Sequence, residues 1–117
     1  AAGQGAVAIE IASKRTDLNK ILSKINHNPS SIAVEIERHI INKLEGGCKT
    51  PVGCLATIHK NKLKIEAYLS DISGTHVIRI SDFGQLSDKD EIIENMLIAF
   101  IDEGAKKIID SNREALV

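Results

Sequence analysis

Apolar and polar positions change rhythm along the chain. Val7, Ile9 and Ile11 alternate with Ala6, Ala8 and Glu10, and a period of two predicts a strand. From Thr16 the rhythm becomes helical: Leu18, Ile21, Leu22 and Ile25 fall on one face, with Thr16 the expected N-cap. The clearest helix begins with Asn28 as the expected cap and Pro29 at the first helical position. Ile32, Ile36, Ile40 and Leu44 step by four, Ala33 and Ile41 widen the face, and Glu35, Glu37, Arg38 and Lys43 are expected in solvent. Gly46 or Gly47 is the expected left-handed stop.

Strand rhythm then returns. "VGCLATIH" and "KLKIEAYLSD" flank the polar turn "KNK", and Leu63, Ile65, Ala67 and Leu69 alternate with Lys64, Glu66 and Tyr68. That is the pattern of an antiparallel strand with one covered face. "THVIRIS" reads as a third strand and "DFGQLSDKD" as loop. Ser87 is the expected cap of a helix buried along Ile92, Ile93, Met96, Leu97, Phe100 and Ile101. Gly104 breaks it before a weaker helical piece, "AKKIIDSNREAL". The fold class is therefore α+β: a two-layer sandwich of a three-stranded antiparallel sheet with helices on one face. The first strand has no obvious sheet partner and stands as an orphan.

Composition narrows the function classes. A chain of 117 residues holds one domain with a real core. Its only aromatics are Tyr68, Phe83 and Phe100, so that core is aliphatic. A formal net charge of -1 gives no field for nucleic acid or an anionic membrane. No apolar run is long enough to span a bilayer and no secretory leader pattern opens the chain. Two cysteines make no disulfide framework, which suits a reducing, cytoplasmic setting. The opening "AAGQGAVAIE" lacks an initiating Met, which fits either processing or a piece of a longer chain.

The chemistry-bearing candidate is Cys48 in "LEGGCKTPVGC". Nucleophile, covalent anchor, metal ligand and plain loop thiol are all open to it. A helix C-terminus carries partial negative charge, which opposes a thiolate; activated thiolates favour helix N-termini. Lys43 and Lys49 offset this only in part. The position suits a thiol that reacts once and holds something better than a turnover nucleophile. Cys54, inside a strand pattern, reads as packing, with a Cys48–Cys54 disulfide the minor alternative. Cys48, Cys54 and His59 lack zinc spacing. His27, His39 and His76 have no partners that would make them bases. "GQGA" lacks the rest of a phosphate loop. Glu45 reads as a helix-end surface acid, and Asp82, Asp88 and Asp90 as loop and capping groups.

Taken together, these segments resemble one family. "LEGGCKTPVG" is similar to the cofactor-attachment motif of the porphobilinogen deaminases, also called hydroxymethylbilane synthases. "GQGAVAIE", "INHNP", "VEIERHIINKLEGGC" and "ENMLIAFIDEGAKKII" resemble the family's flanking segments, so the likeness runs from Gly3 to about Ile109. Three positions depart from it. His39 and Ile40 stand where the family often has alanine and phenylalanine, and Cys54 stands where it has a small or apolar residue.

The resemblance implies a three-domain enzyme of which this chain is the C-terminal part. Residues 1–16 would be the terminal strand returning to an absent first domain, and residues 17–117 the cofactor-attachment domain. It implies a dipyrromethane held by a thioether on Cys48, porphobilinogen as substrate, and two upstream domains as partners in the same chain. It implies a linear tetrapyrrole as product and a monomeric, cytoplasmic full-length enzyme. Nucleic acid, membrane and metal have no part. The acid–base aspartate and the basic residues that hold substrate carboxylates would lie upstream, so no catalytic residue is assigned here and Arg38, Lys43 and Lys49 are not promoted. Gly3, Gln4 and Gly5 would border the cleft. The 117-residue chain alone is expected to be inactive and to lack dipyrromethane, with its exposed first strand packing back, fraying or pairing with another copy.

Overall fold

A computed structural model describes residues 1–45 and 49–116. The glycine stop at Gly46 or Gly47 and the candidate Cys48 lie outside the described residues. Helices α1 (Thr16–Leu22) and α2 (Asn28–Glu45) precede strands β1 (Val52–His59), β2 (Lys62–Ser70) and β3 (Val77–Gln85); α3 (Lys89–Asp102) and α4 (Ala105–Ala115) close the chain. The strands form one antiparallel sheet in the order β1-β2-β3. Helix α2 lies on β1, α3 on β3, and α4 against β2 and the other two helices. This is the two-layer arrangement the alternation predicts.

The expected buried face of β2 is buried: Leu63, Ile65, Ala67 and Leu69 join Ile36, Ile40 and Leu44 of α2 and Ile92, Ile93, Met96 and Phe100 of α3 in one aliphatic cluster. The β1–β2 turn is Lys60 and Asn61, both with positive φ. That is the backbone a two-residue hairpin needs to match strand twist. Gly104, at φ 98°, turns the chain between α3 and α4, where an L side chain would be strained.

Several expectations move. The segment 7–11 joins no ladder; Val7 is 96% exposed and the segment stands unpaired. Helix α1 stops at Leu22, short of Ile25, and buries no residue. Seven residues without a packed face gain little beyond local hydrogen bonds. Thr16 is its first helical residue rather than its cap, which falls at Arg15 with no capping side-chain bond. In α2 the cap also shifts: the Ser31 N–H donates to the His27 carbonyl, and the Asn26 carboxamide holds Asn28 and Ser31. Ser87 sits in a short 3-10 turn, Leu86–Asp88, rather than capping α3.

Strand β3 runs on to Gln85 through "DFGQ", because Phe83 pairs with Lys64 and Gln85 with Lys62. Partner strands supply the hydrogen bonds that local sequence signals as loop. Ile101, expected in the buried stripe of α3, is 66% exposed. It lies one residue round the helix from Phe100, beyond the edge of the sheet contact.

Helix α4 carries a buried polar contact that its weak periodicity hides. Asn112 is buried; its carboxamide oxygen accepts the Ile72 N–H at 3.0 Å and its nitrogen donates to the Ser70 carbonyl at 3.0 Å. Both donor and acceptor ends are thus satisfied where water is excluded. The same β2–β3 connection is closed by Asp71, whose carboxylate takes the His76 ring nitrogen at 2.9 Å and the His76 backbone N–H at 3.2 Å. The His76 bond chiefly holds the Asp71 carboxyl down at about 2.

Candidate functional site

The site is built around the junction of α2 with β1. Helix α2 delivers the chain to Glu45; it resumes at exposed Lys49 and buried Thr50, and enters the sheet at Val52. Cys48 therefore belongs to the connection between a helix end and an edge strand, and lies outside the described residues. Arg38, Lys43 and Lys49 are exposed and Glu45 is half-buried.

The second thiol is placed clearly. Cys54 is a free, buried thiol on β1, opposite Ala67 on the helix-covered face. Burial first, and the neighbouring Glu37 carboxylate second, push its thiol from 9.0 up to about 12. It remains protonated at neutral pH, and only the thiolate is a good nucleophile. Iodoacetamide at pH 8 is expected to leave Cys54 unmodified in the native protein and to label it once guanidinium unfolds the chain. Peptide mass mapping reads the difference, and fast native labelling of Cys54 contradicts it. The sign of the pH effect follows. Above pH 9.0 the unfolded thiol loses its proton while the folded one keeps it until about 12, so this group makes stability fall as pH rises through that window.

Glu37 departs most from the sequence reading. It was expected in solvent and is instead 6% exposed. Its Oε1 accepts the Ala56 N–H at 3.1 Å and its Oε2 accepts the Gly3 N–H at 2.7 Å. A backbone donor on an edge strand and one on the N-terminal turn are thereby joined by one carboxylate. Gly3 has φ 69°, its added Cβ would stand 3.4 Å from Val34 on α2, and its carbonyl accepts the Ala6 N–H at 3.0 Å. "GQG" is thus a tight turn laid on α2, with Ala2 packed against the core.

A cleft of about 890 Å³ opens between that turn, α2 and the β1 edge, and reaches the uncovered sheet face at Tyr68 and Arg79. Gly3, Gln4 and Gly5 line it; it is formed within this domain and is a different cleft from the one the resemblance implies. On the uncovered face the Tyr68 ring lies over Gly53, where any Cβ would collide with it. The Arg79 guanidinium carbon stands 5.7 Å from the ring centroid, within cation–π range.

The other sequence candidates stay apart. His27 meets Ser30, His76 meets Asp71, and no cluster of three metal-type side chains exists among the described residues. Asp82 accepts the N–H of Phe83, and Asp90 pairs with Lys89 at the surface. No helix among the described residues is long and apolar enough to cross a membrane. Sequence reasoning missed Glu37 and Asn112. Each carried one signal: Glu37 adjoins Ile36 at the margin of an apolar face, and Asn112 follows Ile108 by four on the stripe of α4.

Comparison with known proteins agrees with the geometry. A family model described as porphobilinogen deaminase, C-terminal domain, matches residues 31–99. The chain is 34% identical over 110 residues to a porphobilinogen deaminase of Desulforudis audaxviator, covering 93% of this chain and 35% of that protein. It is 32% identical over 109 residues to that of Methylobacillus flagellatus, covering 93% and 35%. For Desulfitobacterium hafniense the identity is 30% over 116 residues, covering 99% and 37%. The chain spans about a third of the length of the curated relatives it matches.

Proposed function

Because the chain belongs to the porphobilinogen deaminase family, whose C-terminal domain it matches, we propose that it is the cofactor-attachment part of a hydroxymethylbilane synthase. The whole enzyme would work in tetrapyrrole biosynthesis in the cytoplasm. It would join four porphobilinogen units head to tail: at each addition a methylene carbon–nitrogen bond breaks, ammonia leaves, a bond to a pyrrole alpha carbon forms, and that carbon loses its proton. Dipyrromethane, when bound, supplies the pyrrole end on which the product is built.

The part this chain plays is to hold that primer through the Cys48 sulfur. The observation that carries the assignment is the cysteine of "LEGGCKTPVG" within a family match that spans it. The rest of the thiol inventory supports it. Cys54 does not fit an attached group: it is buried against the helix layer with its thiol pushed up to about 12. A thioether formed once needs no sustained thiolate, so the unfavourable field of a helix C-terminus costs nothing in turnover. Glu37 has both oxygens engaged by backbone donors, and the family resemblance puts the proton-transferring carboxylate in the upstream chain.

The test is the intact mass of the whole protein. An increment of two pyrrole units is expected, and proteolytic mapping should put it on the peptide containing Cys48. An active whole protein without that increment, or with it on another residue, overturns the proposal. The 117-residue chain alone should carry no increment and consume no porphobilinogen; product formed by it would overturn the assignment of proton transfer to the upstream part.

A further inference from the structure

We infer that Glu37 is a positioning residue: its carboxylate fixes the turn at residues 3–6 against the edge of β1, and through that turn sets where the Cys48-bearing domain stands relative to the upstream chain. The inference rests on the reading that residues 1–16 return to a first domain. A carboxylate buried to 6% exposure is costly unless both oxygens are satisfied. Here one oxygen takes the Gly3 N–H at 2.7 Å and the other takes the Ala56 N–H at 3.1 Å. These donors are 53 residues apart (56 minus 3) in the sequence. Between them stands α2, the helix that leads to Cys48.

The turn is shaped to receive that contact. Gly3 lies in the left-handed region, where an added Cβ would stand 3.4 Å from Val34, and closes the turn by accepting the Ala6 N–H. Immediately beyond it the chain leaves the domain: Val7 is exposed and unpaired. The Glu37 bridge is thus a fixed contact at the point where the chain departs toward the upstream part. A glutamine cannot replace it. The carboxamide has one acceptor oxygen, and its NH₂ would face one of the two backbone donors.

The experiment uses the whole protein with Glu37→Gln and, separately, Gly3→Ala. Gly3→Ala strains the turn from its far side and leaves the Ala56 contact intact. Both variants are expected to keep the pyrrole increment on Cys48 and to lose about 10- to 100-fold in kcat, the scale on which small misplacements act, with KM nearly unchanged. Hydrogen exchange of the residue 3–6 amides should quicken in both, and that of Ala56 only in Glu37→Gln. Unchanged kcat in Gly3→Ala with quickened exchange overturns the inference, because Glu37 then serves only the β1 edge. Unchanged exchange of residues 3–6 in Glu37→Gln overturns it as well. Absence of the pyrrole increment from the wild-type protein is a separate failure, of the attachment reading. Should Glu37→Gln fail to fold, Gly3→Ala decides the question.

Discussion

Cys48→Ser in the whole protein is expected to remove the attached pyrrole mass and, with it, turnover of porphobilinogen to background. A thiol with an ordinary pKa of about 8.5 presents a useful thiolate fraction near neutrality. A serine hydroxyl has almost no alkoxide there and gains none from a helix C-terminus, whose partial negative charge opposes any anion. The substituted side chain keeps nearly the same volume, so the fold should survive and the loss can be read as chemistry. Cys54→Ala is the matched control. It removes a buried thiol on the helix-covered face of the sheet, and should keep both the pyrrole mass and turnover. It should also lessen the alkaline fall in stability between 9.0 and about 12. Normal turnover by Cys48→Ser, or loss of the pyrrole mass in Cys54→Ala, would reverse the roles assigned to the two thiols.

Phe100→Ala carries the largest expected stability effect. Phe100 is fully buried in the cluster where α2, α3 and the sheet meet, and it is the largest side chain there. Truncating a buried phenylalanine typically costs about 3–5 kcal/mol, part lost transfer energy and part cavity. Against a total of about 5–15 kcal/mol for a domain, that is enough to leave it marginal. Phe83→Ala should change stability by no more than about 0.5 kcal/mol, because Phe83 is 80% exposed on the uncovered sheet face. Urea unfolding of both variants, compared with the unsubstituted protein, provides the check. A midpoint that barely moves for Phe100→Ala, or moves equally for both, would contradict the core described above.

The two phenylalanines also mark how far a sequence carries. Phe100 sits in an i, i+4 row with Met96 and Ile92, so its burial was legible from helical period alone. Phe83 sits in "DFGQ", which has loop composition, and its strand placement depends on pairing with Lys64 of β2. Local residues do not encode a partner strand's hydrogen bonds. The same limit applies to α1. Ile21 and Ile25 have helical spacing, yet α1 ends at Leu22 and buries nothing, because periodicity describes a face and not whether anything packs on it.

The candidate site divides in the same way. "LEGGC" and its flanking segments were enough to point to the family and to single out Cys48, because a motif is a local property. Glu37 stood in that same helix and was read as solvated, since a charged residue beside an apolar stripe usually is. Its burial is decided by two backbone donors distant in the sequence, Gly3 and Ala56. Asn112 was passed over for the same reason, its two partners lying at Ser70 and Ile72.

By itself, then, the sequence determined the alternation that buries one face of β2, the long amphipathic α2, the α+β class and the family. All of these follow from residues within a few turns of one another. Only the tertiary structure decided which polar side chains are buried, how far β3 extends, and that the second thiol is buried. Each of those depends on contacts between segments distant in the chain, where desolvation and hydrogen-bond completion, not local propensity, set the outcome.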